Sequence, residues 1–279
     1  MLDVIIDSLI DVLKLIPFLF VAFLILEYIE HKMSKKNEKL LVNNKKYGPI
    51  IGSILGAFPQ CGFSAMATKL FSSRVITLGT LIAVYLSTSD EMIPILISNG
   101  TNIVTVLKII GIKVIIGIVI GLLIDLFYKK KESHKDIIHE ECVDEHCHCE
   151  KGILISSLHH TISIVVYLLI TILILNSIVY FVGEDNIKEF MLNNRAYYIS
   201  SLIGLIPNCA SSVIMTEIYL TDMISFGSLI SGLLTGAGVG LLLLFKTNKN
   251  IKENILIILL LYIIGVVFGY LVDMMGIVV

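Results

Sequence analysis

The sequence lacks what a soluble fold needs. Its 279 residues contain no tryptophan and only 5 prolines, and charged residues make up 16% of the chain, against about 25% in an ordinary soluble domain. The formal net charge of −2 leaves no basic field for nucleic acid. There is no G-x-x-x-x-G-K-[ST] motif, so a P-loop nucleotide site is absent. Five cysteines, an odd number, do not indicate a secreted disulfide framework.

Apolar residues are abundant and fall into long segments. They make up 56% of the chain, and the mean hydropathy is +0.90. A helix needs about 20 apolar residues to cross a bilayer. The segments that reach this length are 9–29, 75–98, 103–128, 153–181, 223–245 and 255–275. The sequence therefore predicts an all-α polytopic membrane protein, with the lipid bilayer as its partner and no nucleic acid. The number of copies in an assembly is left open.

Two further apolar segments, 48–73 and 196–221, are interrupted by proline. The interruptions read Pro59-Gln60-Cys61-Gly62 and Pro207-Asn208-Cys209-Ala210. Proline removes a backbone donor and breaks a helix interior. Each arm of about eleven residues then reaches about half a bilayer. A broken-helix hairpin is predicted for each segment, and a single kinked spanning helix remains the alternative.

Loop charges predict the orientation. The loop 32–46 contains six lysines and one glutamate, which favours the cytoplasmic side. Lys69 and Arg74 at the far end of the first interrupted segment are also basic, whereas Glu217 and Asp222 stand at the equivalent places later in the chain. Both termini are expected outside, and 129–151 inside.

The chain also aligns with itself when it is shifted by 148 residues. Over 53–86 against 201–234, eleven of 34 positions are identical, including proline, cysteine, serine and glycine. About three matches would arise by chance in so apolar a chain. Each half then contains three spanning helices and a hairpin, about ten helices in all. Because three is odd, the halves are predicted to be inverted, a plan common in secondary transporters. The predicted units are 1–131, a linker 132–151, and 152–279.

The segments around Pro59–Ser64, Ser87–Glu91 and Pro207–Ala210 resemble those of the ten-helix heavy-metal exporter family, whose members are described as arsenic-efflux proteins or manganese transporters. The resemblance covers both halves and is weakest over 129–151. It implies a multi-pass protein of the prokaryotic cytoplasmic membrane that exports a metal or metalloid ion, such as arsenite, Mn or another transition metal.

The hairpin breaks contain candidate ligands. Cys61 and Cys209 occupy equivalent positions, and thiolates suit thiophilic metals and trivalent arsenic. The alternative is that each cysteine is a small apolar residue in a tight turn. The neighbouring polar side chains either bind the cargo or satisfy backbone groups freed at the break; they are Gln60, Ser64, Asn208 and Ser212.

Asp90 and Glu91 are adjacent carboxylates in an apolar segment, directly after Ser87-Thr88-Ser89. An ionisable residue at membrane depth by default marks an ion or proton pathway. The pair is therefore predicted to exchange protons for metal. The alternative is a helix that stops near Leu86 and leaves a hydrated external loop.

Other titratable residues have weaker cases. His159 and His160 are predicted to take part in proton coupling, or else to begin a helix in solvent. Asp125 and Asp273 are paired by the repeat near the ends of the last spans, where capping at the membrane interface is the expected role. The linker contains a cluster suited to binding metal in a reducing cytoplasm, or else is a polar connection; its candidates are His139, Cys142, His146, Cys147, His148 and Cys149, with His134 nearby.

These observations predict a transporter and no enzyme, with the metal as cargo and no resident cofactor. Proton antiport is the expected coupling. Two alternatives remain: a membrane-embedded metal sensor that uses the linker, and an intramembrane hydrolase with Ser64 or Ser212 as nucleophile. Neither serine lies in a G-x-S-x-G or S-x-x-K motif.

Overall fold

A computed structural model gives the fold. It describes residues 47–58, 62–89, 92–128, 196–207, 210–221 and 223–276, together with scattered helical positions from 9 to 24 and from 158 to 177. The continuous parts form ten helices, and no strand occurs in the described residues. The predicted all-helical class is confirmed.

The helices form two sets of five. The first set is α1 (Gly48–Gly56), α2 (Gly62–Ser72), α3 (Leu78–Ser87), α4 (Met92–Ser98) and α5 (Ile103–Phe127). The second is α6 (Ala196–Gly204), α7 (Ala210–Leu220), α8 (Phe226–Thr235), α9 (Val239–Thr247) and α10 (Ile251–Met274). A shift of 148 residues maps α1, α2, α3 and α5 onto α6, α7, α8 and α10 to within one residue. The internal duplication detected in the sequence therefore extends to the helix boundaries.

The prediction of one continuous helix over 75–98, and of another over 223–245, was wrong. The first divides into α3 and α4, and α3 ends at Thr88, whose ψ of 128° is not helical. The second divides into α8 and α9 at Gly238, which has φ +54°. Helix α3 ends close to Leu86, as the alternative has it, but the two residues described directly after it are buried: Thr88 is 3% exposed and Ser89 1% exposed.

The interrupted segment 48–73 turns back on itself. Helix α1 runs parallel to α3, since Gly48 lies against Thr80 and Gly56 lies against Ser87. Helix α2 then returns to the start of α3 through a short turn at 73–77, in which the Val75 amide donates to the Leu70 carbonyl at 2.9 Å. Both ends of the segment therefore lie at the N-terminal end of α3, as a hairpin requires.

Segment 196–221 has the same arrangement. Helix α6 runs parallel to α8, since the Ser231 hydroxyl donates to the Tyr197 carbonyl at 2.9 Å and the Thr235 hydroxyl to the Ser201 carbonyl at 3.0 Å. Helix α7 ends at Leu220, and α8 begins at Phe226. This second hairpin packs on α8 as the first packs on α3.

Small residues allow these helices to approach closely. A methyl group added at Gly79 would overlap the Gly121 carbonyl, and one at Gly227 would overlap the Gly269 carbonyl. These two contacts are equivalent in the repeat, and they join α3 to α5 and α8 to α10. Every residue of α3 and α8 is buried. Helix α3 therefore forms the centre of the first half, and α8 forms the centre of the second.

Helices α5 and α10 lie outside this centre and keep one apolar face exposed. Ile115, Val119, Leu259 and Ile263 are between 46% and 62% exposed. Within the described residues, three stretches are long and apolar enough to cross a membrane: α5, α10 and the 22 residues from Phe226 to Thr247. Apolar faces of this kind are stable against lipid chains and costly in water, so the protein is a multi-pass membrane protein.

The end of α5 lies near the start of α10. Near the C-terminus of α5, Asp125 accepts a hydrogen bond from the Thr77 hydroxyl at 2.6 Å. Arg74 lies three residues before Thr77. Its guanidinium is 2.8 Å from the carboxylate of Glu253, which lies in the first turn of α10. The C-terminal end of α5 and the N-terminal end of α10 therefore lie near the same turn, 73–77.

Candidate functional site

The C-terminal ends of α3 and α8 meet around a small cavity of about 10 Å³. The cavity has room for one water or one bare ion. Its lining residues with polar side chains are three serines and a threonine. The lining residues are Thr88, Ser89, Met92, Ser211, Ser212, Leu233, Gly236 and Gly238. Both halves of the chain contribute to it.

Helix termini surround the cavity. Thr88 caps the C-terminus of α3 and Gly236 that of α8, while Ser211 and Ser212 lie in the first turn of α7. The last carbonyls of a helix carry partial negative charge and its first amides partial positive charge. Broken helices with their ends at one place are the usual construction of an ion site in transporters.

A buried cation adjoins the cavity. Lys113 in α5 has no exposed surface, and its ammonium donates to the carbonyl oxygen of Thr88. Since α5 begins at Ile103, Lys113 lies about 15 Å along a helix that is about 37 Å long. A charged group at this depth is costly and usually functional.

Four of the predicted site residues in the described part of the chain lie near the interruptions. Thr88 and Ser212 line the cavity. The Ser87 hydroxyl donates to the Ala83 carbonyl at 2.9 Å and lies against Gly56. Pro207 is half-buried just after α6.

Ser64 lies elsewhere. It is fully buried in α2 and packs against Gly240 in α9. Its carbonyl accepts from the Thr68 hydroxyl at 2.6 Å, and the equivalent Thr216–Ser212 bond measures 2.7 Å. The structure therefore separates the two serines considered as nucleophiles: Ser212 lines the cavity, and Ser64 does not.

The remaining predicted site residues lie outside the described residues, and their roles stay predictions. They are Pro59, Gln60, Cys61, Asp90, Glu91, Asn208, Cys209, His159 and His160, with the linker residues His134, His139, Cys142, His146, Cys147, His148 and Cys149. Within the parts of the chain that are described, no group of three His, Cys, Asp or Glu side chains is placed to hold a metal ion.

Asp125 and Asp273 cap neighbouring helices. Asp125 accepts from the Gly79 amide at 2.9 Å, at the start of α3, and Asp273 accepts from the Gly227 amide at 2.6 Å, at the start of α8. A carboxylate at a helix N-terminus satisfies a free amide and interacts favourably with the dipole. The predicted role at the membrane interface stays a prediction, and what the structure adds is that each carboxylate caps a helix other than its own.

Sequence reasoning missed Lys113 and several cavity residues. Lys113 could have been found, because Lys108 and Lys113 are the two lysines of a 25-residue helix whose only other charged residue is Asp125. Ser89 and Gly236 lie in segments that the repeat pairs with each other, whereas Met92, Ser211 and Leu233 had no such signal. Their importance comes from where the two halves meet, which hydropathy does not report.

The chain matches one family twice. Residues 1–163 and residues 149–277 each match the family described as "Putative, 10TM heavy-metal exporter". Neither a curated protein nor a solved structure matches the chain. The two matches divide the chain near the boundary between its repeats.

Proposed function

The chain belongs to the family of ten-helix heavy-metal exporters, and we propose that it exports a metal or metalloid ion across the cytoplasmic membrane of a prokaryote by proton antiport. The observation that supports the proposal is the cavity at which the C-terminal ends of α3 and α8 meet. A site at the junction of two broken helices can be opened to either side when the halves move relative to each other.

We further propose that the two halves are inverted in the membrane. Three contacts support this: Asp125 of α5 lies near Thr77, Glu253 of α10 pairs with nearby Arg74, and the Ser72 hydroxyl is 2.7 Å from that of Thr247. The end of α5, the start of α10 and the end of α9 therefore lie at one end of the bundle. Inverted halves provide two similar arrangements, one open to each side.

Proton antiport is proposed because a cation must leave a cell with a negative interior. The cost is about 2.3 kcal/mol per charge per 100 mV, and the sequence contains no P-loop for nucleotide-driven transport. Asp90 and Glu91 directly follow the cavity residue Ser89 in sequence. In the proposal this pair exchanges protons for metal, and Cys61 and Cys209 complete the metal site. Arsenite, Mn²⁺ and other transition-metal ions are the candidate cargoes.

The test uses the full chain in proteoliposomes with an acidic lumen, which stands in for the cell exterior. Mn²⁺, Zn²⁺ and arsenite are added outside in turn, and their uptake is measured with and without the pH gradient. We expect gradient-dependent uptake of at least one of them. The double variant Asp90→Asn/Glu91→Gln should reduce this uptake to the level of empty liposomes.

Glu184→Gln/Asp185→Asn is the matched control, because it removes an adjacent carboxylate pair from a polar segment, and it should retain uptake. Gradient-driven uptake by the Asp90→Asn/Glu91→Gln variant would exclude that pair as the coupling site. Failure of the wild-type chain to move any of the three ions would overturn the proposal of export. Peptide hydrolysis in the absence of flux would favour the hydrolase. The absence of both flux and hydrolysis would favour the sensor.

A further inference from the structure

Helix α2 of the first half packs closely against helix α9 of the second. A methyl group added at Gly240 of α9 would lie 3.1 Å from Cβ of Ser64 in α2 and 2.9 Å from the ring of Tyr85 in α3. The hydroxyl oxygen of Thr68 in α2 is 3.2 Å from the Gly240 carbonyl and 2.6 Å from the Tyr85 hydroxyl. The start of α9 therefore has no spare space against the first half.

The α2–α9 interface continues towards the end of the bundle at which Arg74 pairs with Glu253. Before that pair is reached, the Ser72 hydroxyl of α2 is 2.7 Å from the Thr247 hydroxyl of α9. The eight residues from Ser64 to Ser72 span about 12 Å along α2. The interface thus connects the two halves over about this distance, up to the end for which the loop charges predict the cytoplasmic side.

The other end of the α2–α9 interface lies at the cavity. Helix α9 begins at Val239, directly after Gly238, which lines the cavity. Apolar side chains fill the same part of the interface, since Ala65 of α2 belongs to one buried cluster with Val239 and Leu243 of α9. The interface therefore runs from the level of the cavity to one end of the bundle.

The internal repeat relates this closed interface to the cavity lining. Under the shift of 148 residues, the three contact positions Ser64, Tyr85 and Gly240 have equivalents in the other half. These equivalents are Ser212, Leu233 and Met92. All three line the cavity. Equivalent positions thus close against one another between α2, α3 and α9, and surround a cavity between α7, α8 and α4.

The polar pairs of the α2–α9 interface have no chemical equivalents in the other half. The equivalents of Ser72 and Thr247 are Leu220 and Asn99, and those of Arg74 and Glu253 are Asp222 and Thr105. Leucine cannot form a hydroxyl pair, and aspartate cannot form an ion pair with threonine. The two related interfaces are therefore held by different interactions.

We propose that the α2–α9 interface is a gate between the cavity and the cytoplasmic side, and that it is closed in this structure. The α7–α4 interface is the equivalent gate towards the opposite side. Loading from the cytoplasm requires α9 to separate from α2, and release requires α4 to separate from α7, as alternating access between inverted halves demands. This inference rests on the proposed function, because it assigns the moving interfaces of that site.

The test measures access to the cavity and needs no flux. Ser212→Cys is introduced into the full chain with its five native cysteines replaced, in inside-out membrane vesicles. Its rate of reaction with an impermeant thiol reagent is the baseline. Gly240→Ala places a methyl group against Tyr85, which is fully buried, and should force the interface apart. Ser72→Ala removes one hydroxyl pair between the halves.

We expect each of these two variants to raise the labelling rate about fivefold, because one hydrogen bond or a comparable steric cost shifts the open population by about that factor. In right-side-out vesicles, where the reagent meets the opposite face, neither variant should raise the rate.

Two controls match the substitutions. Gly111→Ala adds a methyl group where it meets open space. Ser231→Ala removes a hydroxyl pair within the second half, in which the oxygens of Ser201 and Ser231 are 2.6 Å apart. Both should keep the baseline rate. If Gly240→Ala does not fold, the comparison of Ser72→Ala with Ser231→Ala decides.

Baseline labelling in both gate variants overturns the inference, as does the absence of labelling in every variant. An equal increase in the controls, or from both sides of the membrane, also overturns it, because the whole bundle would then have loosened. Metal flux by the wild-type chain is measured separately. Failure of the export proposal therefore shows in the flux, and failure of the gate shows in the labelling.

Discussion

At the scale of single residues, Gly238 decides how the second half forms its part of the cavity. It has φ +54° and ψ −143°, a conformation that side chains with a Cβ rarely adopt. It is buried and lines the cavity. Here the chain leaves α8 and starts α9, so the position combines an unusual backbone with close approach to the site.

We expect Gly238→Ala to destabilise the protein by about 1–3 kcal/mol, because it forces a Cβ into a strained conformation. Gly111→Ala is the control. Gly111 lies within α5, where an added methyl group would meet open space, and alanine should stabilise the helix by about 0.5–1 kcal/mol. Thermal unfolding in detergent measures both changes. Equal melting temperatures for the two variants would show that the backbone at 238 is not constrained.

At the scale of helices, an ion pair connects the two halves. Arg74 lies in the turn between α2 and α3, with φ +57°, and its guanidinium is 2.8 Å from the Glu253 carboxylate of α10. The Glu253 side chain is 2% exposed and also accepts from the Asn248 amide at 3.1 Å. A buried carboxylate is stable when it is paired and hydrogen-bonded.

Arg74→Ala should destabilise the protein by about 3 kcal/mol, because it leaves a buried charge without this partner. Arg74→Ala/Glu253→Gln should recover part of that loss, since the remaining amide is neutral. The measurement is a double-mutant cycle on thermal or denaturant unfolding. A double variant that loses as much as the sum of the single variants would show that the two side chains are not energetically coupled.

At the scale of the whole molecule, equivalent parts of the two halves make equivalent contacts. Thr77 and Thr80 hydroxyls are 2.8 Å apart at the start of α3, and Ser225 and Ser228 hydroxyls are 2.9 Å apart at the start of α8. The capping aspartates of α3 and α8 are equivalent too. Lys113 of α5 breaks this symmetry, because the shift of 148 residues pairs it with Leu261 of α10, which is apolar and also buried.

Inverted halves predict which helix ends share a membrane face. In a chain with its five native cysteines replaced, Tyr128→Cys at the end of α5 and Lys252→Cys at the start of α10 should react with an impermeant thiol reagent from the same side. Asn102→Cys and Met275→Cys, at the opposite ends of these helices, should react from the other side. All four positions are exposed. Labelling of Tyr128→Cys and Lys252→Cys from opposite sides would contradict inversion.

The sequence by itself determined the helical membrane class and the existence of a repeat. It also determined the hairpin interruptions that follow Gly56 and Gly204. These properties are local or periodic: long apolar segments require helices in lipid, proline stops a helix interior, and a constant shift reveals duplication. The match of helix boundaries across the two halves follows from the same pattern.

Only the tertiary structure decided where α3 and α8 end and what surrounds those ends. No proline lies at residue 88 or 238, so hydropathy predicted continuous helices there. The ends are stabilised by contacts with distant segments: Lys113 donates to the carbonyl of Thr88, and residues of α7 face Leu233 and Gly236 across the cavity. Hydropathy records how apolar a segment is, whereas the site depends on which segments of the two halves meet.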